Sequence, residues 1–180
     1  TYVTYGSASA KSMNILAEKH RSLRKTSTPA RIVAGGSKHH ANIINAATPG
    51  KDVRKVIVIA AAFTGTRRAI PNVKLHDVVY YEWHRRLLAM VKSNGFEVIS
   101  KRHPKGLGAA DRLYDDVATT ELRQVGMQDI FESADAFVMD IAGSAFLESA
   151  CTLKPVVLID IPNRTMTDEG RKAIEKSIEI

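Results

Sequence analysis

Ala134–Pro155 reads ADAFVMDIAGSAFLESACTLKP. Within it, Ala136–Met139 is a short apolar run with the character of a buried strand. Asp140-Ile-Ala-Gly-Ser144 follows at its carboxyl end, and Ala145–Thr152 reads as an apolar, small-residue helix that Lys154-Pro155 stops. A strand, a tight Gly-Ser turn and a helix N-terminus leave several amide N–H groups without intrahelical acceptors, and the helix dipole adds partial positive charge there. Such a turn can hold a phosphate through backbone alone. Ser144 can cap the helix or offer its hydroxyl to an anion. Glu148, one turn on, lies on the same side and can accept from the two hydroxyls of a ribose. An ordinary strand-to-helix turn, with Ser144 as cap and Glu148 solvated, would use the same residues.

Working outward, Lys55–Phe63 (KVIVIAAAF) is apolar throughout, as a strand covered on both faces should be. Asp77–Asn94 is predicted to be a long helix whose buried side is Val78, Val79, Leu87, Leu88 and Val91, with Tyr80, Tyr81 and Trp83 on or beside it. Gly95 ends it as a left-handed cap. Glu97–Ser100 is a second strand, Asp116–Gly126 a short helix, and Asp129–Ser133 a turn into the Ala136 strand. Val156–Asp160 is the last strand, and Thr167–Ile180 a charged amphipathic helix. This alternation predicts an α/β fold with a doubly wound, open parallel sheet of Rossmann-like type. Ahead of it, Ser12–Arg24 and Ser37–Ala47 read as helices, Arg31–Ala34 as a short β-prone run, and Thr48–Asp52 as the boundary. The expected organisation is an N-terminal segment over 1–50, the remnant of a preceding lobe and linker, and an α/β domain over 51–180.

The 180 residues suffice for one full-sized core with a smaller appendage, and 44% hydrophobic with 25% charged content is ordinary for a globular protein. The net charge of +7 suggests anionic partners. Basic clusters lie at Lys19–Lys25, Lys51–Lys55 and Lys101–Lys105, but no basic stripe interleaves with aromatics, so nucleic acid is not an expected partner. Cys151, the single cysteine, excludes an internal disulfide and reads as a packed thiol. His39-His40 has no further ligands at metal-site spacing. There is no Walker motif and no G-x-G-x-x-G, which argues against an NTPase or a nicotinamide enzyme. No run has the length of a membrane span and no signal peptide is read. Beginning at Thr1, the chain is expected to be part of a longer polypeptide.

In a doubly wound sheet, ligands bind outside the carboxyl ends of the strands. Three loops fall there. In Thr64-Gly65-Thr66-Arg67-Arg68 the hydroxyls and glycine can contact a diphosphate or an acceptor and the arginines can clamp one, or the stretch is a basic surface loop over the sheet edge with no ligand. His103 is held extended at a strand tip by Pro104, able to donate to a phosphate oxygen, with Arg102 and Lys105 adding positive potential; a surface turn with solvated charges would use the same residues. The third loop is Asp140–Ser144, in which Asp140 is either a base or the polar end of a buried strand.

In order and spacing, Lys55–Asp160 resembles the C-terminal, nucleotide-binding half of a GT-B glycosyltransferase. Within that fold it looks like the CDP-glycerol glycerophosphotransferase and bacterial surface-polysaccharide transferase group. The residues that carry the likeness are the Lys55–Phe63 strand and its loop, the basic Lys101–Pro104 strand end, and ADAFVMDIAGSAFLESACTLKPVVLID over Ala134–Asp160. Where that group has a pair of small hydroxyl residues at the turn, this chain has Gly143-Ser144. The resemblance implies a transferase that moves a sugar or polyol phosphate from a UDP-, CDP- or GDP-linked donor to a surface glycan, without metal or other cofactor. It implies that His103 and Ser144 contact the donor phosphates, with His103 catalytic, that Gly143 permits close approach, and that Glu148 meets the ribose. Thr64, Gly65, Arg67, Arg102, Pro104, Lys105 and Asp140 complete the expected donor site. The glycan or lipid-linked acceptor would bind an N-terminal lobe of which Thr1–Ala47 is at most the final part. The expected place is the cytoplasm, with peripheral association at the inner face of the membrane as an option. A non-hydrolysing nucleotide-sugar epimerase and a non-catalytic nucleotide-binding module are the alternatives.

Overall fold

The structure, a computed structural model, describes residues 2–4, 7–24, 32–50, 52–60, 63, 75–104, 112–161 and 166–176. The chain divides into two compact units, Thr1–Ala47 and Thr48–Ile180. In the first, β1 (Tyr2–Thr4) pairs in parallel with β2 (Ile32–Ala34). Parallel strands need a crossover, and α1 (Ser7–Arg24) supplies it. α2 (Lys38–Ala46) follows, capped by Ser37, whose hydroxyl accepts from the His40 N–H at 3.2 Å.

The second unit is the α/β domain. Its strands are β3 (Lys55–Ile59), β4 (Glu97–Lys101), β5 (Thr120–Leu122), β6 (Ala136–Met139) and β7 (Val156–Leu158). They form one all-parallel sheet in the order β5-β4-β3-β6-β7. α3 (Asp77–Ser93) packs on one face, where Val56, Val58, Val98, Ala136 and Val138 meet Leu87, Leu88 and Tyr114. α4 (Ser144–Ala150), a 3-10 turn at Gln128–Ile130 and α5 (Asp168–Glu175) serve the other face, where Ile57, Ile59, Ile99, Phe137 and Met139 meet Ile130, Phe146 and Ile174. The sheet is therefore doubly wound: alternate residues of each central strand face opposite helix layers. Asp135 pins the start of β3, its carboxylate accepting from the Arg54 and Lys55 N–H groups at 3.1 and 2.7 Å. Those bonds hold its pKa below the usual aspartate value.

Two expectations are corrected. Asp116–Gly126 is not a helix: it holds turns and the edge strand β5, which pairs with β4 from Ile99↔Thr120 to Lys101↔Leu122. An edge strand this short has no long apolar run to announce it. The buried side of α3 is also different. Val78 and Val79 are 74% and 53% exposed, and the buried residues are Tyr80, His84, Leu87 and Leu88. Those four recur at helical spacing, so the face is set by position on the helix and not by the most apolar letters.

Gly95 has φ +87°, the left-handed conformation that closes α3, and its N–H bonds to the Lys92 carbonyl at 3.0 Å. Gly95→Ala is expected to cost about 1 kcal/mol, because a Cβ disfavours this backbone region. Equilibrium urea unfolding measures it, and an unchanged midpoint would refute the strain.

Candidate functional site

The strand order β5-β4-β3-β6-β7 contains one switch point. From β3 the chain moves outward through β4 to β5, then returns to the far side of β3 to lay down β6 and β7. The winding reverses between β3 and β6, and in doubly wound sheets ligands generally bind at such a switch point, outside the carboxyl ends of the strands. β4 and β6 flank β3 and run parallel to it. The ends that carry His103 and Asp140–Ser144 therefore lie on one edge of the sheet, with one strand between them.

The turn after β6 is tight. The Gly143 N–H bonds back to the Ile141 carbonyl at 3.0 Å, and the Leu147 N–H bonds to the Gly143 carbonyl at 3.2 Å. The N–H groups of Ser144, Ala145 and Phe146 precede that first helical bond, so the helix itself offers them no acceptor. Gly143, and not Ser144, holds the N-cap position, with φ −107° and no side-chain cap. Ser144 is the first helical residue, and it is exposed. A Cβ on Gly143 would lie 3.3 Å from the Ile141 Cγ2, so its glycine matters for room and not for a positive φ. Glu148 is half-buried one turn on.

The structure sorts the expected site residues by the face they turn to. His103 and Pro104 are exposed at the tip of β4. Arg102 is buried on the α3 face. Its Nη1 lies 3.5 Å from the Glu121 Oε1, with the side chains 3% and 2% exposed, and its guanidinium stands 5.7 Å from the Phe63 ring centre. Its guanidinium thus faces the Glu121 carboxylate inside the protein. Asp140 is buried on the same face and accepts a short hydrogen bond from the Tyr80 hydroxyl of α3. Thr64, Gly65, Arg67 and Lys105 lie outside the described residues. Cys151 is half-buried, and burial raises its thiol pKa, which favours the protonated form.

The chain matches no family model, no curated protein and no solved structure.

Lys101 was not singled out by sequence. It is buried, facing the α4 side opposite to Arg102, and its Nζ donates to the Arg102 carbonyl at 3.4 Å. Burial lowers its pKa, against the pull of the Asp129 and Glu148 carboxylates. The basic cluster Lys101–Lys105 is therefore split: Lys101 and Arg102 are internal, while His103 and Pro104 face solvent. Tyr80, His84, Tyr114 and Glu121 also belong to this end of the sheet. The Tyr80–His84 pair is legible as one turn of a helix, whereas nothing in the sequence marks Glu121 as the partner of Arg102. Among the described residues no group of three or more His, Cys, Asp or Glu side chains is placed to hold a metal. Among them, too, no helix is long and apolar enough to cross a membrane.

Proposed function

We propose that the Thr48–Ile180 unit binds the nucleotide-activated donor of a GT-B-type transferase, one that moves a sugar or polyol phosphate to a surface glycan. The observation that carries this reading is the position of the switch point. It falls at the end of β3, flanked by the exposed His103 on β4 and the amide-bearing Gly143–Ser144 turn on β6. Strands spaced about 4.8 Å apart put the β4 and β6 ends about 10 Å from each other. A diphosphate with a hydrogen bond at each end covers that span.

In this reading the reaction is a displacement at the donor. The N–H groups of residues 144–146, the Ser144 hydroxyl and the His103 imidazole bind the phosphates and stabilise the charge that gathers on the leaving nucleotide. α4 has only 7 residues, so the local amides and not a long macrodipole carry the attraction. Glu148 receives the ribose hydroxyls. The acceptor and the group that activates it belong to another lobe.

Calorimetric titration of the chain with CDP, UDP and GDP tests the proposal. At least one should bind in the micromolar to millimolar range. His103→Ala and Ser144→Ala should each weaken that binding about 10-fold, the size of one lost hydrogen bond to a charged group. Both side chains are exposed, so neither change should lower the melting temperature. No heat from any of the three nucleotides at millimolar concentration would remove the proposal.

A further inference from the structure

On the α3 face, polar atoms from three segments are buried with no hydrogen-bond partner among the described residues. His84 of α3 is 1% exposed, and neither its Nδ1 nor its Nε2 has a hydrogen bond. Ser100 of β4 and Tyr114, in the turn before β5, are 0% exposed, and both hydroxyls are likewise unpartnered. The His84 and Tyr114 rings lie 4.9 Å apart, centre to centre. Ser100 sits between Val98 and Arg102 on the strand face that α3 covers, and its register partner is Glu121. The Glu121 carboxylate accepts from the Tyr114 N–H at 3.3 Å, which draws the Tyr114 segment against the same strand pair.

An unpartnered polar group in a core costs about 1–3 kcal/mol. A native core rarely leaves several such groups together unless something bridges them. We propose that His84, Ser100 and Tyr114 enclose an ordered internal water. Water fits this donor set in kind. A neutral imidazole offers one donor and one acceptor, each hydroxyl can do either, and a buried water typically makes about three hydrogen bonds. The near-zero exposure of all three side chains leaves no route for a larger ligand. The water would tie α3 to β4 immediately beside the Arg102–Glu121 pair.

The sign of two conservative substitutions tests this. With a bridging water, Ser100→Ala and Tyr114→Phe each remove one of its anchors, and each should lower the melting temperature by about 3–5 °C. Without one, each deletes an unsatisfied hydroxyl, and the melting temperature should hold or rise. A fall for Tyr114→Phe alone would indicate a direct His84–Tyr114 bond and overturn the proposal. On the unmutated protein, nuclear Overhauser cross-peaks from a long-lived water to the His84 and Tyr114 ring protons are expected. Their absence overturns the proposal whatever the melting temperatures show.

Discussion

Replacing Arg102 with methionine should destabilise the Thr48–Ile180 unit by about 3–5 kcal/mol, the usual cost of removing one partner from a buried ion pair. The cost does not come from a strong bond, because the pair is held by one contact of 3.5 Å. It comes from Glu121, whose carboxylate is left 2% exposed with no other cation beside it among the described residues. Glu121 cannot turn to solvent without further loss. Its other oxygen accepts from the Leu113 and Tyr114 N–H groups at 3.0 and 3.3 Å, which fastens the preceding turn to the edge strand. A double change, Arg102→Met with Glu121→Gln, should recover much of the stability, since the glutamine carbonyl can keep those amides while the orphaned charge disappears. Trp83, the chain's single tryptophan, lies on α3 against this core and reports unfolding by fluorescence. If Arg102→Met leaves the urea midpoint unchanged and reduces only nucleotide affinity, the arginine serves a ligand and the buried pair is not its main role. His103→Ala is the control one residue away: it should reduce affinity and leave the midpoint alone.

That contrast between neighbouring residues shows where the sequence is legible and where it is not. β3 and β6 can be read because a parallel strand covered on both faces must be apolar nearly throughout, and KVIVI and AFVM are. β5 could not be read, because an edge strand is paired on one side only, and Thr-Glu-Leu has no run of its own to show. The turn after β6 was legible from its glycine, serine and the small-residue helix behind it. The faces to which Arg102 and Asp140 turn were not. Strand alternation carries past the last ladder residue, so Lys101 goes one way and Arg102 the other. Their fates are then set by partners distant in the chain: Glu121 lies 19 residues from Arg102, and Tyr80 lies 60 from Asp140. Local pattern has no access to such pairings. The same blindness put the exposed Val78 and Val79 on the buried side of α3 and passed over His84. A tyrosine whose hydroxyl finds a carboxylate, and a histidine that stays neutral, are as acceptable in a core as valine, but hydropathy does not say so.

His84 should also make the domain sensitive to mild acid. Burial, aided by the nearby Arg102 guanidinium, lowers its pKa from 6.5 to about 3. At pH 7 the imidazole is neutral in the folded chain and mostly neutral in the unfolded one, so the group takes little from stability. Below pH 6.5 the unfolded chain binds a proton that the folded one refuses, so stability falls as pH falls, and the loss stops near pH 3 where both states are protonated. Between pH 7 and pH 5 the linkage amounts to about 2 kcal/mol. Carboxylates cannot mimic it in that window. Asp135, held below the ordinary aspartate value by the Lys55 and Arg54 N–H groups, adds its own loss only as pH falls below about 4. His84→Leu nearly conserves volume and removes the titration. The urea-unfolding free energy of the unmutated protein should drop by about 2 kcal/mol from pH 7 to pH 5, and that of the leucine variant by a small fraction of this. Equal losses in the two proteins would mean that the imidazole reaches solvent, and with it a proton, in the folded state.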